Sequence, residues 1–387
     1  MPEKPKQIII IGSAYPLRGG GIATFNERLA RALTDHGDHV IIHSFSLQYP
    51  KLFFPGTNQY TNEPPPEGLD IRVTVNSVNP FNWLMTGRKL RRSRPDIVLI
   101  RFWIPFMGPC LGTIARVIRL NGHSKVISII DNITPHEAKT GLRLLTRYFL
   151  NSVEGFIVMS KSVLDDLTTF DSKKPRVICQ HPLYDNFGDI IAKEEAKKTL
   201  NLDRGVSYAL FFGFIRAYKG LDILLHAIAD ERVKNLNVKL LVAGEFYDDE
   251  SLYHDIIKNN RLSDRVVIRN HFIPNSEVRN YFCACDVVVQ PYRSATQSGV
   301  TQVAYHFNRP MITTDVGGLP EMVPDGVVGY VVHPDARSVA DAIVSFYEGH
   351  KEMEFSENVE KEKKRFSWDN MVHAVNELAQ QIIKRTN

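Results

Sequence analysis

Gln7-Ile-Ile-Ile-Ile11 followed by Gly12-Ser-Ala-Tyr-Pro-Leu-Arg-Gly-Gly-Gly21 is the stretch on which the reading of this chain turns. The first run, short and β-branched, reads as a buried strand. The glycine-bearing run reads as a turn. Thr24–Asp35 places Phe25, Leu29, Ala32 and Leu33 on one helical face, and His39–His43 is a second apolar strand. Strand, turn, helix, strand with near-continuous apolar runs is the pattern of parallel strands covered on both faces. Moving outward, the same alternation recurs at Asp96–Arg101, Lys125–Ile130 and Gly155–Met159. It starts afresh after residue 205 with Tyr208–Phe212, a helix over Gly220–Ala229, then Val238–Ala243, Val266–Arg269, Val287–Gln290, Met311–Thr314 and Gly329–Val332. The expectation is α/β: two doubly wound, Rossmann-like domains, over 1–185 and 186–365. His181–Gly205 reads as the connection, and a last helix over Phe366–Lys384 is expected to bring residues 366–387 back onto the first domain. Ligands of such sheets bind beyond the carboxyl ends of the strands, so the site is expected in a central cleft that both domains face.

Composition narrows the function classes. With 387 residues, 43% of them apolar and 23% charged, the chain suits two globular cores. A net charge of +4 gives no global basicity for nucleic-acid binding. The apolar run Ile8–Ile11 is strand-length, too short for a secretory signal, and nothing approaches a membrane span. Cys110, Cys179, Cys283 and Cys285 form no Cys-x-x-Cys pair and have no histidine at ligand spacing, which speaks for reduced thiols in a cytoplasmic protein and against a zinc site.

Four motifs carry chemistry, each just after a strand. Gly12–Gly21, ending in three glycines before a helix, lets backbone amides approach an anion; it is neither G-x-G-x-x-G nor a P-loop, and its plainer reading is a flexible surface turn. Phe211-Phe-Gly-Phe-Ile-Arg-Ala-Tyr-Lys-Gly220 places Arg216 and Lys219 in a loop entering a helix, two cations suited to a diphosphate leaving group. Pro291–Val300 leads into a helix over Thr301–Phe307; Ser298 and Gly299 present amides to phosphate there, or Ser298 is an ordinary N-cap. Asp315-Val-Gly-Gly-Leu-Pro-Glu321 puts a glycine pair after a strand, as a tight turn also would.

Taken together, K-G-L-D at 219–222, P-x-I-T-T-D-V-G-G-L-P-E at 310–321, D-G-x-x-G-Y-V-V at 325–332 and the Asn275–Tyr292 stretch resemble retaining glycosyltransferases of family 4, which have the two-domain GT-B fold. The resemblance implies transfer of a sugar from a UDP- or GDP-sugar to a glycan or lipid-linked acceptor with retention, as in bacterial surface polysaccharide synthesis, with no cofactor and no metal. It implies that Arg216 and Lys219 hold the donor diphosphate, with Gly213, Gly317, Gly318 and Glu321 beside the donor and the loop of Gly20 and Gly21 closing over donor or acceptor. The family's arginine stands at the place of Phe214 here, so Arg216 supplies that charge from a shifted position. In such transfer the acceptor hydroxyl attacks the anomeric carbon on the face the diphosphate leaves, and the leaving phosphate takes the proton.

Two departures qualify the likeness. The family's paired glutamates align with Ala295 and Val303, leaving Gln297 and Gln302 as the polar candidates for sugar or ribose hydroxyls. A histidine usual near the end of the strand at Lys125–Ile130 aligns with Asp131, with His136 downstream as a neutral donor or acceptor, or as a structural histidine near Pro135. Arg88, Lys89, Arg91, Arg92 and Arg94, with the aromatic residues between 81 and 107, suit peripheral contact with an anionic membrane at its inner face; the rival reading is a solvated helix face plus core aromatics. Two further functions stay open on sequence: a sugar-nucleotide epimerase of the same architecture, and a GT-B scaffold that has lost activity with its glutamates.

Overall fold

A computed structural model describes residues 4–18, 20–50, 58–133 and 140–386. The chain divides into two compact units: Met1–Pro182 with Ser367–Asn387, and Leu183–Phe366.

Unit 1 runs β1 (Gln7–Ile11), α1 (Gly21–Asp35), β2 (His39–Leu47), β3 (Asp70–Asn76), α2 (Pro80–Ser93), β4 (Ile97–Phe102) and α3 (Gly108–Arg119). It continues with β5 (Lys125–Ile130), α4 (Thr140–Leu150), β6 (Gly155–Val158), α5 (Lys161–Phe170) and β7 (Arg176–Ile178). Its strands are parallel, in the order β3-β2-β1-β4-β5-β6-β7, with Ile8 to Ile11 of β1 in register with Ile97 to Ile100 of β4. Sheet residues such as Ile9, Ile11, Val98 and Ile100 form one core with Leu111 and Ile114 of α3. The helix ends follow local chemistry. Asn79 caps α2 by accepting from Asn82 N–H, with Pro80 in the first turn, and Ser160 caps α5 by accepting from Val163 N–H.

Unit 2 begins at Leu183 and includes α6 (Lys193–Thr199), so residues 183–205 fold with it. Lys193 of α6 is anchored to Asp286 at 2.6 Å and to Glu352. Then come β8 (Ser207–Phe212), α7 (Leu221–Ile228), α8 (Glu231–Lys234), β9 (Val238–Ala243), α9 (Ser251–Asn259), β10 (Val266–Arg269) and α10 (Val278–Ala284). The unit closes with β11 (Val287–Gln290), α11 (Gly299–His306), β12 (Met311–Thr314), α12 (Leu319–Met322), β13 (Gly329–Val332), α13 (Ala336–Glu348) and α14 (Glu352–Glu362). The order is β10-β9-β8-β11-β12-β13, again all parallel. Strand order reverses between β8 and β11, which makes their carboxyl ends the switch point where ligands of such sheets bind.

The chain then returns to unit 1 as α15 (Trp368–Thr386), which packs on α1, β5, β6 and β7. Trp368 meets the Phe25 ring at 5.1 Å, and Leu378 and Ile382 lie over Gly155. At the crossing, Leu183 N–H donates to Phe366 O at 3.0 Å. All four cysteines are buried and unpaired. Among the described residues, no helix is long and apolar enough to cross a membrane.

Candidate active site

In unit 2 three loops meet at the switch point. The loop after β8 carries Gly213, Phe214, Arg216 and a short 3-10 turn, Ala217–Lys219. Gly220 follows in the left-handed region (φ 69°), where a Cβ would overlap the carbonyl oxygen of Pro291. The loop after β11 is tied back to it: Arg293 N–H donates to Tyr218 O at 2.7 Å, and its guanidinium reaches Ala217 O at 2.9 Å and the Asp222 carboxylate at 2.8 and 2.5 Å. The loop after β12 joins through Gly317 (φ 52°), whose Cβ would overlap Ala295 O. Thr314 Oγ1 donates to Tyr292 O at 2.5 Å. Gly318 directly precedes α12, and Glu321 is exposed on that helix.

Lys219 is the electrostatic centre of this cluster. Its side chain is only 8% exposed, and among the described residues no hydrogen bond or carboxylate holds its ammonium. Its Nζ lies 5.7 Å from the Tyr292 ring centre. A Cβ built on Gly213 would lie 3.0 Å from that Nζ and 3.8 Å from Val300 of α11, so the cation sits by the first turn of that helix. Burial, and then the nearby Arg216, pull its pKa down to about 8. An unpaired buried cation beside glycine turns and a helix start is arranged to receive an anion. Ser298 is the residue before α11 and makes no side-chain cap, so the ordinary-cap reading does not describe it; Gly299 is the helix's first residue.

Arg216 lies with its guanidinium carbon 4.9 Å from the Tyr247 ring centre. Phe214, at the place of the family's arginine, lies 4.5 Å from Tyr247 and 6.2 Å from Phe272. These three rings come from the loops after β8, β9 and β10 and pack into one aromatic cluster with Arg216 over Tyr247. Sequence reasoning did not single out Tyr247 or Phe272, because nothing local marks them. Gln297 is half-buried in the loop after β11. Gln302 is fully buried on α11, and neither of its amide atoms finds a hydrogen-bond partner among the described residues.

In unit 1, Gly12 to Arg18 form a pinned loop and not a loose turn. Asn26 Nδ2 donates to Ser13 O at 2.9 Å, Ser44 Oγ to Ala14 O at 2.8 Å, and Tyr15 N–H to Glu27 Oε1 at 2.9 Å. Gly20 precedes α1 and Gly21 opens it, three residues ahead of the expected Thr24. Asp131, directly after β5, pairs with Arg101 of β4: Nε donates to Oδ2 at 2.6 Å and Nη2 to Oδ1. The Arg101 guanidinium lies 3.7 Å over the Phe25 ring, and the buried His181, its pKa lowered to about 3 by burial and Arg101, meets the edge of that ring at 5.1 Å. A hydroxyl approaching Asp131 therefore meets a carboxylate already neutralised by Arg101. His136 lies outside the described residues. Of the stretch 81–107, Phe102 and Met107 are core, and Trp103 and Phe106 pack against it.

Two family models match this chain. One, described as "Glycosyltransferase Family 4", covers residues 19–180. The other, described as "Glycosyl transferases group 1", covers residues 207–349. An uncharacterized glycosyltransferase of Methanocaldococcus jannaschii is 24% identical over 381 residues, 97% of this chain and 98% of its own length. Sucrose-phosphate synthase from Thermosynechococcus elongatus matches in structure with a TM-score of 0.73 at 17% identity, over 98% of this chain and 100% of that one. Anabaena HepE in complex with UDP-glucose matches with a TM-score of 0.70 at 15% identity, over 98% and 99%. The structural likenesses establish a shared fold, two parallel-sheet α/β domains of GT-B type.

Proposed function

We propose that this chain, a glycosyltransferase by its family 4 and group 1 domains, binds a nucleoside diphosphate sugar on unit 2 and transfers the sugar with retention. The observation that carries the donor reading is the buried Lys219 ammonium, without a hydrogen bond or carboxylate among the described residues, beside Gly213 and the first turn of α11. Lys219 and the α11 amides would take up charge as the bond from the anomeric carbon to the diphosphate breaks. Arg216 would add a second cation, and the Phe214, Tyr247 and Phe272 rings a face for the base. The acceptor oxygen would form its bond on the same side, its proton passing to the departing phosphate. UDP is the favoured nucleotide because a protein of this fold, HepE, was captured with UDP-glucose. None of these steps uses a metal.

The test is a melting-temperature screen with UDP, GDP and their sugars, followed by acceptor-free hydrolysis of any donor that binds. A ligand held only by the folded state raises the transition, by about 2.7 kcal/mol at a hundred times its Kd. One nucleotide that stabilises and one donor that hydrolyses are expected. No response to any nucleotide would indicate a scaffold.

For the acceptor we propose a lipid-linked glycan met at an anionic membrane surface. Phe81 is 80% exposed and Met85 70% exposed on α2, with Leu84 exposed between them. Arg88, Lys89, Arg91, Arg92 and Arg94 follow, all exposed. Residues 81, 84, 85, 88 and 92 share one helical face, while Thr86, Gly87 and Leu90 hold the helix to its unit. Apolar side chains followed by cations suit the boundary between acyl chains and anionic headgroups, each cation adding about 1 kcal/mol. Flotation with phosphatidylglycerol vesicles at low salt is expected, and its loss with Phe81→Ser and Met85→Ser combined. Failure of the native protein to float removes this part of the reading.

A further inference from the structure

A serine just before a helix ordinarily turns its hydroxyl back to accept from an N–H of the first turn. Ser298 holds that place before α11 with extended backbone, φ −135° and ψ 119°, and makes no such bond. Its hydroxyl points inward, donates to Gln290 Oε1 at 2.6 Å and also meets the Tyr292 hydroxyl. Thr301 Oγ1 donates to the same oxygen at 3.1 Å. Gln290 is the last residue of β11, fully buried and in register with Thr313 of β12. A polar side chain so deep in a sheet is costly unless it is bonded; here Oε1 receives two hydroxyls, while Nε2 finds no partner among the described residues.

The result is a helix whose first turn takes no cap from Ser298 and, among the described residues, no bond from another side chain. The second, independent observation is the Lys219 ammonium, more than nine-tenths buried and without hydrogen bond or carboxylate among the described residues, lying with Val300 of that same turn around Gly213. Uncapped amides and an uncompensated cation converge on one place, and both favour an anion there.

We infer that Gln290 is a positioning residue for phosphate binding: by holding the Ser298 hydroxyl inward it keeps the serine from capping α11 and leaves the helix amides to the diphosphate. Gln290 acts through Ser298 and touches no substrate. The inference rests on the donor-site reading above. Its particular claim is that the Ser298 hydroxyl competes with phosphate once it is released.

The experiment is calorimetric titration of the full chain with UDP and with GDP, on the native protein and on Gln290→Leu, Ser298→Ala and the double variant. Gln290→Leu removes the acceptor that Ser298 donates to, leaving the Tyr292 hydroxyl as its remaining inward partner; with the serine then able to turn and cap, nucleotide affinity should fall about fivefold, the size of one N-cap bond. Adding Ser298→Ala removes the competitor, and affinity should recover to within about twofold of native even though the double variant is the less stable protein. A purely structural role for Gln290 predicts no recovery, since a second lesion does not repair a damaged loop. Should Gln290→Leu fail to fold, Ser298→Ala alone decides: near-native affinity supports the inference, and a tenfold loss overturns it. Native protein that binds neither nucleotide sinks the donor-site reading and the inference with it. Native binding without recovery in the double variant overturns the inference alone.

Discussion

Lys219→Ala is expected to lower kcat/KM by about a hundredfold to a thousandfold, the usual cost of removing one preorganised group that stabilises developing charge. The melting temperature should hold or rise. The native ammonium is buried without a carboxylate or hydrogen-bond partner among the described residues, so in the unliganded fold only the Tyr292 ring offsets its desolvation. Opposite signs for stability and activity distinguish a ligand-directed cation from a structural one. The pH dependence follows from the same burial. With its pKa lowered to about 8, the free protein carries the charge below that pH and loses it above. Nucleotide affinity should therefore be full near neutral pH and fall as pH rises through about 8, approaching tenfold per unit. Lys219→Arg, always charged, should abolish that alkaline loss even where its bulkier head binds less well. Near-normal turnover in Lys219→Ala, or affinity flat from about pH 7 to 9, would refute the assignment.

The second large effect is expected at Gly317. Its φ of 52° is one that side-chain-bearing residues adopt only at a cost of about 1–3 kcal/mol, and a Cβ there would overlap the carbonyl oxygen of Ala295. Carbonyl and glycine are both backbone, so no side-chain rotation relieves the overlap; the loops after β11 and β12 must part. Gly317→Ala should cost about 3 kcal/mol in denaturant unfolding. It should also weaken nucleotide binding, since the loop it displaces leads into α11. Gly326 is the control: it also has positive φ (70°), but a Cβ there meets nothing within 4 Å. Gly326→Ala should lose only the conformational part. Equal losses at the two positions would show that the contact with Ala295 is unimportant.

Much of the fold was legible because parallel strands covered on both faces announce themselves as unbroken apolar runs. The limits of β1, β5 and β9 to β13 fall where those runs end. Asp70–Asn76 escaped notice because it alternates charge with β-branched residues, as suits an edge strand paired on one side only, and Arg176–Ile178 is too short to stand out. The cation and glycine turns of the proposed phosphate site were readable because they lie together along the chain. The rest is assembled across the sheet. The Arg101–Asp131 pair joins two strands, the Phe214, Tyr247 and Phe272 rings come from three loops, and Gln290 reads only as the polar end of a strand until α11 is laid over it.

The hydrogen bond from Leu183 to Phe366 has an architectural meaning. Unit 2 leaves and rejoins unit 1 at neighbouring points, so it is built as an insertion whose two ends nearly touch. A module of that kind can be exchanged as a cassette. Residues 183–366 from a relative with another sugar preference could be spliced between Pro182 and Ser367 without designed linkers, and the host residues 1–182 and 367–387 could be rejoined by a short bridge. With the donor on unit 2 as proposed, donor choice and acceptor choice would be separable by recombination at two cut points, a route by which a lineage could vary one specificity while keeping the other.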